Sequence, residues 1–286
     1  MNDQRIAILT DTGTDTPSDF ARAHDVRVVP LRITYSDGTT YESGRTITPA
    51  EVVARFAEEV PMTSLPSPEH IADAFRQARR DGYERAVFVS ISSGLSATCE
   101  TVRMVARQLA DFPVEVVDSR SIGVAAGMVV MEAAHQVEQG VPFASLRHTL
   151  ADVAGHTSVF FSTTTLDYLR HGGRISEAVY RLGTLLNLKP VITCDESGRY
   201  AVAKKCRGWR RALDAEVALA EERARAYPKV RLAICCSESC ERHLMELERA
   251  LRRQVVNAVE IVHSGVSADL LVHTGPDLVG IGVQGL

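Results

Sequence analysis

The sequence predicts an α/β protein of two domains: an N-terminal Rossmann-like domain with a mostly parallel sheet, and a C-terminal α+β domain. Three observations carry this. Strand-like and helix-like stretches alternate through residues 5–139, the pattern of a parallel sheet with helices on both faces. From about residue 156 the texture changes to short strands divided by turns. A length of 286 residues, 45% of them hydrophobic, suffices for two cores. The division falls at 1–155 and 156–286. No repeat or low-complexity linker separates the halves, so they are expected to pack closely, with a ligand site in the cleft between them.

The elements follow in order. "RIAILTD" (5–11) and "VRVVPLRITY" (26–35) read as strands. "ITPAEVVARFAEEV" opens with Thr48 at the cap, Pro49 at the first helical position and Glu51 three residues past the cap, a capping box. "PSPEHIADAFRQARRDG" repeats that grammar with Ser67, Pro68 and a closing Gly82. The apolar strands "RAVFVSIS" (85–92) and "VEVVDS" (114–119) flank a helix at 96–110, and a helix over 124–139 closes the first half.

In the second half "SVFFSTT" (158–164), "LKPVITCD" (188–195) and "RYAVAKKC" (199–206) are strands, the last two a hairpin across Glu196-Ser197-Gly198. A helix over 209–227, the strand "VRLAICCS", a helix over 239–253 and the strands "NAVEIVHSG" and "DLVGIGVQ" complete the chain. "LDYLRHGGRIS" (166–176) interrupts this order. A short helix from Leu166 to Arg170 halts on Gly172 and Gly173, and Ser176 stands where a second helix starts. Glycine accepts the left-handed conformation of a helix exit. The pair either does only that, or frees Arg174 to reach an anion or a partner.

Composition excludes several classes. The net charge is −4, and the 32 basic residues, 28 of them arginine, are scattered rather than clustered, so no nucleic-acid partner is indicated. "MNDQRIAILTD" is polar and then strand-like, unlike a signal peptide, and the longest weakly polar run, 122–134, is too short to span a bilayer. The six cysteines form no CxxC pair, which suits reduced thiols in the cytoplasm. Cys236 and Cys240 lack a nearby His pair, so no metal is expected.

Two motifs are set aside. "GIGVQG" (280–285) matches GxGxxG but has no helix after it to receive a pyrophosphate. "DTGTD" (11–15) occurs once and outside an all-β context, so it reads as an Asx-type turn rather than an aspartic-protease triplet. Two others stay. "PMTSLPSPEH" and "SISSGLSATCE" place Thr63, Ser92 and Ser93 at strand-to-helix turns, where hydroxyls and backbone N–H groups converge off a sheet's carboxyl edge. Capping explains Ser67 and Ser96 but not these three. His273 in "LVHTGPDLVGIGV" is then a general base or a neutral donor.

Seven ordered stretches, "TSLPSP", "SSGLSAT", "DSRSIGVAAG", "TLDYLRHGGRIS", "LLNLKPVIT", "KKCRG" and "HTGPDLVGIG", resemble the bacterial DegV family, the fatty-acid-binding subunits of fatty acid kinases, over essentially the whole chain. The resemblance implies a long-chain fatty acid in an apolar tunnel between the domains. Its carboxylate would be held by Thr63, Ser93 and His273, with Ser92 a neighbour. The protein would not itself be an enzyme: it would present the acid to a kinase catalytic subunit that makes the acyl phosphate, with Arg174 and Arg207 engaging that partner and its phosphoryl chemistry. No cofactor is implied, and the reading leaves room for peripheral membrane contact during lipid exchange. Departures from the family pattern are Ala97 for glycine, His171 for lysine, Asp277 for glycine or asparagine, and "DTGTD" for "DSTSD". Two other readings remain: a serine hydrolase with Ser93 as nucleophile, His273 as base and Asp118 as orienter, although no G-x-S-x-G elbow is present, and a degradation or sensor module that binds protein and no lipid.

Overall fold

The computed structural model describes residues 2–177, 180–181 and 188–286. Its first sheet has the order β2-β1-β6-β7 and is parallel throughout, built from β1 (Ile6–Asp11), β2 (Val26–Val29), β6 (Arg85–Ser90) and β7 (Val114–Asp118). All six residues of β1 are buried, because both faces of the sheet are covered. Ile6 and Ile8 pack on the side of α5 (Gly123–Glu138) and α6 (Phe143–Gly155). Ala7 and Leu9 pack on the side of α3 (Pro68–Arg80) and α4 (Thr98–Arg107). The chain leaves β1 for β2 on one side and returns to β6 on the other. The loops after β1 and β6 therefore diverge and open a crevice at the carboxyl ends of the strands, where ligands of such sheets bind.

The second sheet is mixed, in the order β10-β9-β8-β13-β11-β12. It comprises β8 (Thr157–Thr163), β9 (Val191–Cys194), β10 (Tyr200–Lys204), β11 (Val230–Cys236), β12 (Ala258–Ser264) and β13 (Leu278–Gly285). β9 and β10 form the expected antiparallel hairpin. α8 (Trp209–Ala224) and α9 (Leu244–Gln254) cover one face. The other face packs on α5, so this one helix is shared by both sheets. "GIGVQG" lies inside β13, where its glycines serve packing: a Cβ on Gly282 would lie 2.6 Å from Met128 Cε of α5. No helix among the described residues is long and apolar enough to cross a membrane.

The N-terminal parallel sheet and the C-terminal mixed sheet agree with the expected fold class; the differences are local. The run 26–35 is two strands rather than one. Pro30 cannot donate to a ladder, and the chain leaves the parallel sheet there to form β3 (Arg32–Thr34) of a third, antiparallel sheet with β4 (Thr40–Glu42) and β5 (Met62–Ser64). The helix expected over 239–253 is a 3-10 turn (Glu238–His243) followed by α9. α6 and α10 (Ala268–Thr274) were not foreseen, whereas the capping box of α2 (Pro49–Arg55) is present in full. Of the second helix expected from Ser176, residues 178–179 and 182–187 lie outside the described residues.

Candidate functional site

β5 pairs with β3 so that Ile33 stands opposite Thr63. The two-residue period of a strand then turns Thr63 inward while Met62 and Ser64 are exposed. Facing it is α10, whose last turn carries His273, 8% exposed. Thr63 Oγ1 and His273 Nε2 are 2.7 Å apart, a hydrogen bond joining residues 210 positions apart. Burial, with Arg174 and His171 nearby, drives the His273 pKa down to about 3, so the ring is neutral at physiological pH. Its Nδ1 has no partner among the described residues.

The reason is the helix-halting glycine pair. α7 (Asp167–His171) ends in a Schellman-type exit: Gly173 takes φ +71°, and the N–H of Arg174 donates to the Leu169 carbonyl at 3.0 Å. Gly172 keeps helical dihedrals and needs no glycine for its backbone. A Cβ there, however, would lie 2.8 Å from His273 Cε1 and closer still to Nδ1. One glycine turns the chain, and the other makes room for the imidazole.

The turn also aims Arg174. Its guanidinium donates to the carbonyl of Gly172 and, at 3.4 Å, to that of Leu95 in the loop after β6. No carboxylate among the described residues lies within ion-pair distance of this half-buried cation, and burial lowers its pKa. Thr63, His273 and Arg174 line one cavity of about 320 Å³. Its walls are apolar: Leu31, Ile91, Leu95 and Ile122 from the N-terminal half, Tyr200 and Leu270 from the C-terminal half. Asp269, one turn before His273 on α10, lines it as well. Among the described residues no group of three or more His, Cys, Asp or Glu is arranged to hold a metal ion.

A family model described as "Uncharacterised protein, DegV family" matches residues 5–285. The chain belongs to the DegV family. A DegV domain-containing protein of Clostridium perfringens is 32% identical over 98% of this chain and 99% of its own length, and one of Streptomyces coelicolor is 31% identical over 98% and 99%. Among solved structures, a DegV family protein from Thermus thermophilus described as fatty acid binding superposes with a TM-score of 0.89 at 31% identity, covering 99% of this chain and all of that one. A stearic acid-binding protein from Eubacterium ventriosum, 24% identical, shares the fold with a TM-score of 0.88 over 98% of both chains.

Within this DegV chain the residues singled out by sequence fall into two groups. Thr63, His273 and Arg174 meet in the cavity. Ser92 is fully buried and committed elsewhere: its Oγ donates to the Gly198 carbonyl at 2.7 Å and accepts the Gly94 N–H at 3.0 Å, tying the "SSGLS" loop to the tip of the β9–β10 hairpin. Ser93 is exposed and outside the cavity lining, its N–H on Asp118 Oδ1 at 3.2 Å. Arg207 is exposed, its backbone bridged to Leu188. The hydrolase relay is not assembled. His273 bonds Thr63 rather than Ser93, and Asp118 accepts from the backbones of Ser93 and Arg120. Sequence reasoning missed Asp269, Tyr200 and the apolar wall. Only the i, i+4 spacing of Asp269 and His273 signalled any of it, and it required α10 to be read as a helix.

Proposed function

We propose that this DegV-family protein binds a long-chain fatty acid, with its carboxylate beside Thr63, His273 and Arg174, and presents it to a fatty acid kinase. The observation that carries the binding is Arg174: a half-buried cation with no counter-ion among the described residues, set in an apolar cavity. A carboxylate at the end of an apolar chain matches both features. Each buried methylene contributes about 0.8 kcal/mol, so a chain of about sixteen carbons supplies on the order of 10 kcal/mol. A buried carboxylate still needs several donors. The imidazole tautomer with its proton on Nε2 leaves no orphan N–H and donates to Thr63 Oγ1, which turns the threonine hydroxyl proton toward the ligand. Arg174 adds a charge-assisted donor.

The Thermus thermophilus relative described as fatty acid binding supports this reading, and Ser93, the nucleophile of the hydrolase reading, is not paired with His273, which bonds Thr63 instead. The exposed Arg207, beside Lys204 and Lys205, is the surface offered to an anionic partner site. The test compares palmitate with hexadecanol. Thr63→Val removes one donor and should cost the acid roughly 1–3 kcal/mol, about five- to 150-fold in affinity, while the alcohol changes little. Equal losses for both would show a disturbed cavity, and no loss for the acid would place the headgroup elsewhere.

A further inference from the structure

The function proposed above uses Thr63, His273 and Arg174 but leaves one polar group of the cavity without a task, the hydroxyl of Tyr200. Tyr200 opens β10, just past Gly198 at the tip of the β9–β10 hairpin, and lines the cavity. Three contacts fix where it stands. Its backbone pairs with Cys194 across the hairpin. Its ring meets the Phe161 ring of β8 edge-on, with centroids 5.2 Å apart and planes at 64°. The hairpin tip is itself tied to the loop after β6 by the hydrogen bond from Ser92 to the Gly198 carbonyl. A donor held in this way is ordered before any ligand arrives, so a bond to it costs little further freedom.

The hydroxyl has no hydrogen-bond partner among the described residues. Burial, with Cys194 nearby, pushes its pKa well above the ordinary phenol value, so it keeps its proton and is available as a donor. The Arg174 guanidinium lies within electrostatic reach of it. No acceptor in the cavity wall answers it. The Leu95 carbonyl takes the Arg174 guanidinium, the Ser96 hydroxyl is bonded to that of Thr98, and Thr63 is bonded to His273. Asp269 Oδ2 has no partner among the described residues either, so no bond joins it to Tyr200. A buried hydroxyl left without an acceptor is costly, and a tyrosine in apolar surroundings ordinarily finds one. Phenylalanine would fill the same wall without that cost.

We propose that Tyr200 is a further headgroup-binding residue: its hydroxyl donates to the fatty-acid carboxylate beside Arg174, completing with Thr63 a set of donors drawn from three separate segments of the chain. This rests on the fatty-acid reading. An ionised carboxylate only accepts, and its two oxygens offer about four lone-pair sites. It therefore takes the threonine hydroxyl, the guanidinium and the phenol together and leaves none of them short. Bonds from an O–H or a guanidinium to an anion are also shorter and stronger than bonds between neutral groups. An alcohol headgroup brings a proton of its own and no charge. It accepts from the phenol more weakly and does not neutralise Arg174, so the same donor that holds the acid discriminates against the alcohol.

The experiment is Tyr200→Phe in delipidated full-length protein. The substitution removes one oxygen that bonds no described residue and keeps the ring against Phe161, so the fold is retained. Competition with a fluorescent fatty acid gives the affinities for palmitate and hexadecanol, and infrared difference spectra follow palmitate isotope-labelled at its carboxyl carbon. The expected result is a loss of about ten- to 150-fold for palmitate, the range of a hydrogen bond to a charged group, with a smaller loss for hexadecanol. The labelled carboxylate band should shift on substitution, which lost packing alone would not produce. Equal losses for both ligands with an unmoved band overturn the proposal and make Tyr200 part of the wall only. Palmitate bound as tightly as by wild type overturns it too and leaves the fatty-acid reading standing. Failure of palmitate to bind the wild-type protein overturns both.

Discussion

Gly172→Ala isolates the contact on which the site geometry depends. The backbone at Gly172 is helical, φ −71° and ψ −7°, so alanine brings no strain of its own. The added methyl meets the His273 ring instead, within 2.8 Å of Cε1. The ring cannot retreat freely, because Nε2 is held 2.7 Å from Thr63 Oγ1 and the residue is buried. Forcing one extra carbon into such a place costs about 1–3 kcal/mol, and the ring must turn away from Thr63 to accept it. If the ligand carboxylate depends on that pair, affinity falls by about five- to 150-fold. Gly173→Ala is the control. Its φ of +71° makes a side chain unfavourable by roughly 1–2 kcal/mol, but nothing lies within 4 Å of the new methyl. Competition with a fluorescent fatty acid measures the first effect and urea denaturation the second. Gly172→Ala binding like wild type, or Gly173→Ala losing affinity as much as Gly172→Ala, would refute the division of roles.

Two further results are expected. Arg174→Ala should weaken palmitate binding about ten- to 150-fold, the range of a lost charge-assisted hydrogen bond, and hexadecanol little; Arg207→Ala should leave both affinities within about twofold and slow acyl-phosphate formation with the cognate kinase, as single-turnover assays would show. The folded Asp11 binds its proton up to about pH 7 whereas an ordinary aspartate releases it near 3.8, so its contribution to stability is fully present below 3.8 and is lost as pH rises to 7. Asp11→Asn should therefore gain on wild type by about 1.4 kcal/mol per pH unit across that window, about 4 kcal/mol in all, and level off above it. Urea titrations at a series of pH values check this, and a difference independent of pH would contradict it.

The fold was legible where local chemistry and global architecture agree. The Thr48–Pro49–Glu51 box starts α2 as written, because a cap is satisfied within four residues. The alternation of the first half yielded the parallel sheet, because strands buried on both faces are apolar throughout. Failures came where a distant partner decides. Pro30 ends a strand within a run whose β-branched and apolar residues continue past it, and only the third sheet explains where Leu31 and Ile33 go. The site shows the same limit. Thr63 and His273 were nameable as residues of the right type, but Ser92 and Ser93 look equally suitable in sequence. Only the hairpin carbonyl at Gly198 reveals that the Ser92 hydroxyl is already used. Arg174 was legible as an arginine with a purpose, while its place in the cavity wall depends on the Leu95 carbonyl, 79 residues away.

The proposed function makes the cavity between Thr63, Arg174 and the Leu31–Leu270 wall a fatty-acid site. A chain worth on the order of 10 kcal/mol of burial should survive purification in such a cavity. Native mass spectrometry of the purified protein, followed by denaturation and identification of what is released, tests this directly. The expected result is an adduct of one long-chain fatty acid per chain, displaced by added palmitate and depleted in Arg174→Ala. Apoprotein alone, with no adduct formed on incubation with palmitate, would contradict it.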